Sequence, residues 1–270
     1  MKKNIFFIVL LSLDIFSCYK NEVINEIDNT TIELRNDEAI ALLNKSDSIG
    51  IIHNLALTNV YEDLNELRGV FSIEQLDKYI INSLYNYSEN IGIRCSDDIV
   101  ENTMHLFYLI DSNGALVQYE NNSKLNLFLD NHEVSSQLRY QITLLRKLPD
   151  STSTKELFKN KILNLYYTGF NELDSDKEKE LFAGMIAVAL HSSDYWYDNY
   201  DKWRTKIYEL ITGSEIEYRD CRHNTAQDLK DVGALVISDS VGLIGGLIGA
   251  FGTSVAVELI NAWNYIVDCN

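Results

Sequence analysis

A mainly α fold, a bundle-like helical body followed by a glycine-rich helical hairpin, is what this 270-residue sequence predicts. Three observations predict it. Apolar residues recur at three- and four-residue steps through most of residues 30–212, the period of a helix face rather than of a strand. Capping boxes open the runs, at Ser72-x-x-Gln75, Ser153-x-x-Glu156 and Ser175-x-x-Glu178. In each, a hydroxyl and a side-chain carbonyl can satisfy free backbone N–H groups at a helix start. The single proline argues against a loop-rich sandwich or a proline-rich linker.

The elements follow in order. Leu57, Val60, Leu64 and Leu67 form a helical stripe that ends at Gly69, and Ile73, Leu76, Ile80 and Leu84 form another. Val134, Leu138, Ile142, Leu145 and Leu148 form a third, stopped at Pro149. Leu157, Ile162, Leu165 and Tyr166 lead to Gly169. Leu181 to Leu190 is apolar or glycine throughout, so it reads as the central helix of the body. Trp203, Ile207, Leu210 and Ile211 give the next stripe, ended by Gly213. Residues 105–119 are the exception. Two apolar runs flank Asp111-Ser-Asn-Gly114, which reads either as a single β-hairpin about an Asn-Gly turn or as further helix.

Domain organisation starts with an address. Lys2 and Lys3 precede the apolar run Ile5–Leu13, too short to span a bilayer, and Ser17-Cys18 follows. This order resembles a bacterial lipoprotein signal, in which a small residue precedes the lipid-accepting cysteine. Phe16 and Asp14 depart from that pattern, and an ordinary secretory cut after Ser17 is the alternative. The reading is a signal peptide at 1–17, lipidation at Cys18, a flexible tether at 18–29, a helical body at 30–215 and a glycine-rich hairpin at 224–268. The expected location is the cell envelope, with the membrane as partner through the anchor. Loss of residues 1–17, which hold two lysines and one aspartate, takes the formal charge from −17 to −18. Such an acidic chain lacks the basic face that phosphate contacts need, so a general nucleic-acid binder is excluded.

Cys95, Cys221 and Cys269 then remain. An exported compartment permits a disulfide, and one pair plus a spare or three thiols are both open. A hairpin turning near Gly252 would hold Cys269 roughly 20 Å from Cys221, beyond the ~7 Å reach of a bridge, which favours Cys95–Cys221.

The hairpin segment carries the least ordinary pattern. Eighteen uncharged residues separate Asp239 from Glu258 and include Gly242, Gly245, Gly246, Gly249 and Gly252. On one continuous helix, 242, 245/246 and 249 share a face that lets another backbone approach closely. Each interior glycine weakens a helix by roughly 1 kcal/mol relative to alanine, so close packing must compensate. The surface in contact is a neighbouring helix of the same domain, a second copy, a partner helix, or lipid. Eighteen residues reach roughly 27 Å, just short of a ~30 Å hydrocarbon core.

The chemical motifs are sparse. The five histidines, His53, His105, His132, His191 and His223, show no metal-ligand spacing, and neither a metal nor a cofactor is expected. His191-Ser192-Ser193-Asp194 holds hydrolase residue types, but sequential neighbours rarely converge on one point; capping by Ser192 or Ser193 is the expectation. Glu178 and Glu180 sit in a solvated charge run. Tyr195, Trp196, Tyr197, Tyr200 and Trp203 crowd nine positions, interleaved with Asp194, Asp198 and Asp201. Tyr195, Trp196, Tyr200 and Trp203 are therefore candidate ligand-binding residues for a sugar or a cation, with core packing as the competing role.

Gly50-Ile-Ile-His53-Asn54, Ser192-Ser-Asp-Tyr-Trp196 and the glycine-rich tail together resemble uncharacterised exported lipoproteins of gut-type bacteria. The resemblance implies address and architecture and carries no catalytic residue. The function expected is a lipoprotein that binds or associates. The alternatives are a membrane-active, bacteriocin-like effector using the tail, and an envelope hydrolase using the aromatic and acidic cluster.

Overall fold

The computed structural model describes residues 36–93, 108–110, 116–118, 123–149, 154–214 and 225–269. The signal, Cys18, the tether, Cys95, His105, Cys221 and His223 lie outside the described residues.

The order is α1 (Asp37–Glu66), α2 (Ile73–Asn90), β1 (Tyr108–Ile110), β2 (Leu116–Gln118), α3 (Ser123–Asn131), α4 (Ser136–Arg146), α5 (Lys155–Gly169), α6 (Asp176–Thr212), α7 (Thr225–Gly242) and α8 (Leu247–Cys269). The fold is mainly helical. β1 and β2 pair antiparallel, with Leu109 opposite Val117. Among the described residues, no helix is long and apolar enough to cross a membrane.

Helix starts show how local chemistry and tertiary contact compete. Ser72 closes a full capping box with Gln75 at α2. At α5 the cap is Thr154, whose hydroxyl accepts from the Leu157 N–H, one residue beyond the expected Ser153. At α6 the Ser175 side chain makes no cap bond. Glu178 instead accepts from the backbone N–H and hydroxyl of Ser135, tying α6 to the start of α4. A long-range charged hydrogen bond has displaced the local one.

α6 is one unbroken helix of 37 residues, roughly 56 Å long. It joins the central apolar run and the Trp203–Ile211 stripe that the sequence presents separately. Phe182 to Leu190 are all buried, as a helix that is apolar on every side requires. Gly213, in the left-handed conformation (φ 71°), stops it. α1 lies parallel to α6: Gly50 sits against Ala187, Asn54 donates to the His191 carbonyl, and Tyr61 meets Trp203. α7 runs antiparallel to α6, with Ser240 bonded to the Met185 carbonyl and Tyr200 to Asp231. One contiguous core reaches from Ala39 to Ala262, so the glycine-rich segment shares the core of the body.

The glycine segment departs from the expectation of one continuous helical stripe. α7 ends at Gly242, a short 3-10 turn covers Leu243–Gly245, and the chain reverses at Gly246 (φ 100°, ψ 179°) rather than near Gly252. That backbone region is open to glycine almost alone. The five glycines therefore serve different purposes. A Cβ on Gly242 would strike the Gly249 carbonyl and the Thr253 hydroxyl of α8, so its bareness permits a close helix crossing. Gly246 has open space around it and is needed for its torsion angles. Gly249 and Gly252 are buried on α8, and Gly245 lies in the 3-10 turn. Thr253 donates to the Ser238 carbonyl and clamps α8 onto α7 just beyond the crossing.

Candidate functional site

A buried set of charges, where α7 and α8 meet α1 and α6, is the most chemically distinctive part of the molecule. Asp239 projects from α7 and is fully buried, as are His53 of α1 and Ser192 and Trp196 of α6. His53 Nε2 stands 3.1 Å from Asp239 Oδ1. That contact is an ion pair without the alignment of a hydrogen bond. Asp239 Oδ2 accepts from the Ser192 hydroxyl and, at 3.0 Å, from the Trp196 indole N–H. His53 Nδ1 is 3.0 Å from Asn54 Oδ1. Burial pushes the His53 pKa down, but the nearby Asp239 carboxylate, Asn54 and the Ala250 backbone outweigh it. The net shift is upward.

A second pair lies farther along the same helices. Glu258 of α8 is fully buried, with Oε1 3.3 Å from Arg204 Nε of α6. Arg204 also lies 3.4 Å from Asp231 of α7 and stacks its guanidinium over the Tyr200 ring at 4.2 Å. Tyr200 Oη donates to Asp231 at 2.9 Å. Burial is the largest influence on Glu258 and raises it. Arg204 opposes by charge and hydrogen bond, Asp231 adds to the rise, and Asn261 opposes. The result is a carboxyl pushed up to about 7.

The structure gives the sequence-derived candidates the following places. Trp196 and Trp203 have no exposed surface, and Tyr200 is 4% exposed. Their rings are 5.3 Å apart for the tryptophans, and Trp203 donates to Tyr195 Oη. They are packed in the core and form no open stacking face. Burial raises the Tyr195 phenol beyond its ordinary range. Ser192 and Ser193 lie mid-helix and are not caps. Ser192 turns inward to Asp239, and Ser193 bonds back to the Ala189 carbonyl. His191 turns outward to Asp47 at 2.7 Å, and Asp194 pairs with Lys155 and Lys159 of α5. The four neighbours thus point to four different partners. His132 is exposed and bonds the Phe128 carbonyl. Glu178 bridges to α4, and Glu180 lies 3.7 Å from Lys45. Cys269 is the last residue of α8. Among the described residues, no three His, Cys, Asp or Glu side chains are grouped to hold a metal ion.

Asp239, Glu258 and Arg204 are the residues that sequence reasoning passed over. A signal for the two acids was present: each stands alone in an apolar run, Leu235-Val-Ile-Ser-Asp239 and Val255-Ala-Val-Glu258-Leu. A lone acid on a face destined for the core must find a hydrogen-bonded counter-charge. The sequence does not say which base answers which acid, because the partners are 54 to 186 positions away.

The cluster has the residue types of an acyl-transfer triad in the wrong arrangement. Ser192 donates to the carboxylate and not to the imidazole, and every member is sealed from solvent. A nucleophile needs its base on the hydroxyl and a route for substrate. The arrangement instead fastens four helices at one point. Comparison with protein-family models, with curated proteins and with solved structures finds no match for this chain.

Proposed function

We propose that the chain is a cell-envelope lipoprotein, exported by residues 1–17 and anchored through Cys18, whose helical body acts by binding or association. One observation carries this reading: a basic start, an apolar run and Ser17-Cys18 stand eighteen residues ahead of Asn36, the residue that caps the first described helix. A lipid on Cys18 would hold a strongly acidic body beside an anionic surface that repels it, so the body would stand off the membrane. Gly242, Gly249 and Gly252 of the glycine stripe and Trp196, Tyr200 and Trp203 of the aromatic cluster, proposed contact surfaces on sequence grounds, are buried inside the folded body. Association in this folded form would therefore use other surfaces, such as the exposed Ile51 and Leu55 on α1.

The test is labelled-fatty-acid incorporation in cells expressing the full chain. Wild type should be labelled and sediment with membranes, and Cys18→Ser should be unlabelled and released. Unlabelled wild type overturns the proposal.

A second reading is favoured by one feature. The hairpin of α7 and α8 carries an uncharged stretch between Asp239 and Glu258, and both acids are paired inward. A hairpin of that kind could act on a target membrane after leaving the body, as a bacteriocin-like effector would. Dye release from anionic and zwitterionic vesicles on adding the mature chain supports it, and intact vesicles count against it.

A further inference from the structure

Among the described residues, six buried side-chain nitrogen or oxygen atoms have no hydrogen-bond partner. Five of them lie where α7 and α8 pack against the body: His53 Nε2, Asp239 Oδ1, Ser254 Oγ, Glu258 Oε2 and Asn261 Nδ2. The first two face each other at 3.1 Å and answer one another by charge. The other three stand on α8 at four- and three-residue steps, so they share one face of that helix. Buried polar atoms of this kind are costly, and proteins satisfy nearly all of them with another protein group or with ordered water.

Ser254 is an exception among its neighbours. Among the described residues, α6, α7 and α8 bury six serine and threonine hydroxyls. Ser193 and Ser238 turn back to a carbonyl of their own helix. Ser192, Ser240 and Thr253 reach Asp239, the Met185 carbonyl and the Ser238 carbonyl. Ser254, with no exposed surface, does neither. Glu258 is short of a partner for a different reason. Its Oε1 takes Arg204 Nε at 3.3 Å, but Arg204 also turns to Asp231, and Oε2 is left over. Side chains on a helix lean toward its N-terminus, which brings the Glu258 carboxylate back toward Ser254. Residues four apart have Cβ atoms about 5–6 Å apart, the span of two hydrogen bonds of about 3 Å through one water.

We propose that the α8 seam binds an internal water between Ser254 and Glu258, which accepts from the Ser254 hydroxyl and donates to Glu258 Oε2. Its second proton is directed up the seam, where the Ala250 backbone lies beside His53 and Asp239 Oδ1 lacks a partner. On the other side, Asn261 flanks the same carboxylate. The site thus offers the two to four polar partners that a buried water needs. A cation is the poorer occupant, because Arg204 already meets the Glu258 charge. The water completes the shell of a carboxylate that Arg204 reaches through one oxygen, and it carries the hydrogen bonding of the Arg204–Glu258 pair toward the His53–Asp239 pair.

Water-selected Overhauser spectra of the purified chain test the site. Wild type should show cross-peaks between water and the Ser254 β-protons, with the sign of a bound, slowly exchanging molecule. Ser254→Ala removes a hydroxyl whose own exchange with solvent would imitate bound water. The methyl group it introduces should still show the cross-peak, because Glu258 keeps the water. Ser254→Val fills the place with a further methyl group and should abolish the signal. Absence of the wild-type cross-peak overturns the proposal. Its loss in Ser254→Ala does so too, since the wild-type signal would then come from the hydroxyl alone. A cross-peak at full strength in Ser254→Val also overturns it, since the water would lie elsewhere. Should Ser254→Val fail to fold, wild type and Ser254→Ala decide.

Discussion

Replacing Gly242 with alanine adds one methyl group at the point where α7 crosses α8. The new Cβ would lie 2.7 Å from the Gly249 carbonyl carbon and 2.5 Å from Thr253 Oγ1, and closer still to the Gly249 oxygen. Two of those three atoms are backbone, so no side-chain rotation relieves the overlap. α8 must shift, and overpacking of this kind costs about 1–3 kcal/mol. A shift also stretches the 2.7 Å bond from Thr253 to the Ser238 carbonyl, worth about 1 kcal/mol. Alanine returns at most about 1 kcal/mol in helix propensity, and less here because Gly242 is the last residue of α7. The expected net loss is about 2–3 kcal/mol, or roughly 4–12 °C in Tm for a domain of this size. Urea unfolding followed by circular dichroism measures it, with the slope unchanged from wild type. A Gly242→Ala protein as stable as wild type, or more so, would refute the crossing and the role assigned to this glycine.

Three further outcomes are expected. Gly246→Ala has free space but an adverse φ of 100°, so it should cost about 1–3 kcal/mol in urea unfolding, while a D-alanine at the same place should be tolerated. Asp239→Asn leaves His53 buried without its anion and should cost about 3–5 kcal/mol near pH 6. It should also reverse the local pH dependence: with the anion gone, burial lowers His53, so the variant loses stability as pH falls below 6.5, measured as Tm against pH. Ser72→Ala removes the hydroxyl half of the α2 capping box and should cost about 1 kcal/mol by the same unfolding assay.

Features decided by neighbouring residues were the ones the sequence made legible. The Ser72 box depends on a partner three positions away, and it is formed. The stripes Ile73–Leu84 and Leu138–Leu145 depend on helical period alone, and their members are buried. Reading failed where a distant group intervened. Ser175-x-x-Glu178 has the pattern of a box, but Ser135 offers Glu178 two donors from another helix. The stripe of five glycines looked like one face because its period matches a helix, yet the torsion angles of Gly246 break the helix in two. Tyr195, Trp196, Tyr200 and Trp203 are equally suited to a binding face or a core. Asp239 and Asp231, arriving from α7, bond Trp196 and Tyr200 in the core, while Trp203 bonds Tyr195. The charge cluster joins residues from across the chain, and composition or spacing could identify only the isolated acids that needed answering.

The fold depends on the glycine-rich segment turning back on itself and packing inward through Gly242. Nuclear Overhauser contacts in protein labelled at glycine and threonine read this directly. The Gly242 α-protons should show strong cross-peaks to Thr253 and to the Gly249 α-protons, because the helices approach there closely enough to exclude a methyl group. Sequential helical contacts running unbroken from Gly242 through Gly249, with no cross-peak between Gly242 and Thr253, would contradict it.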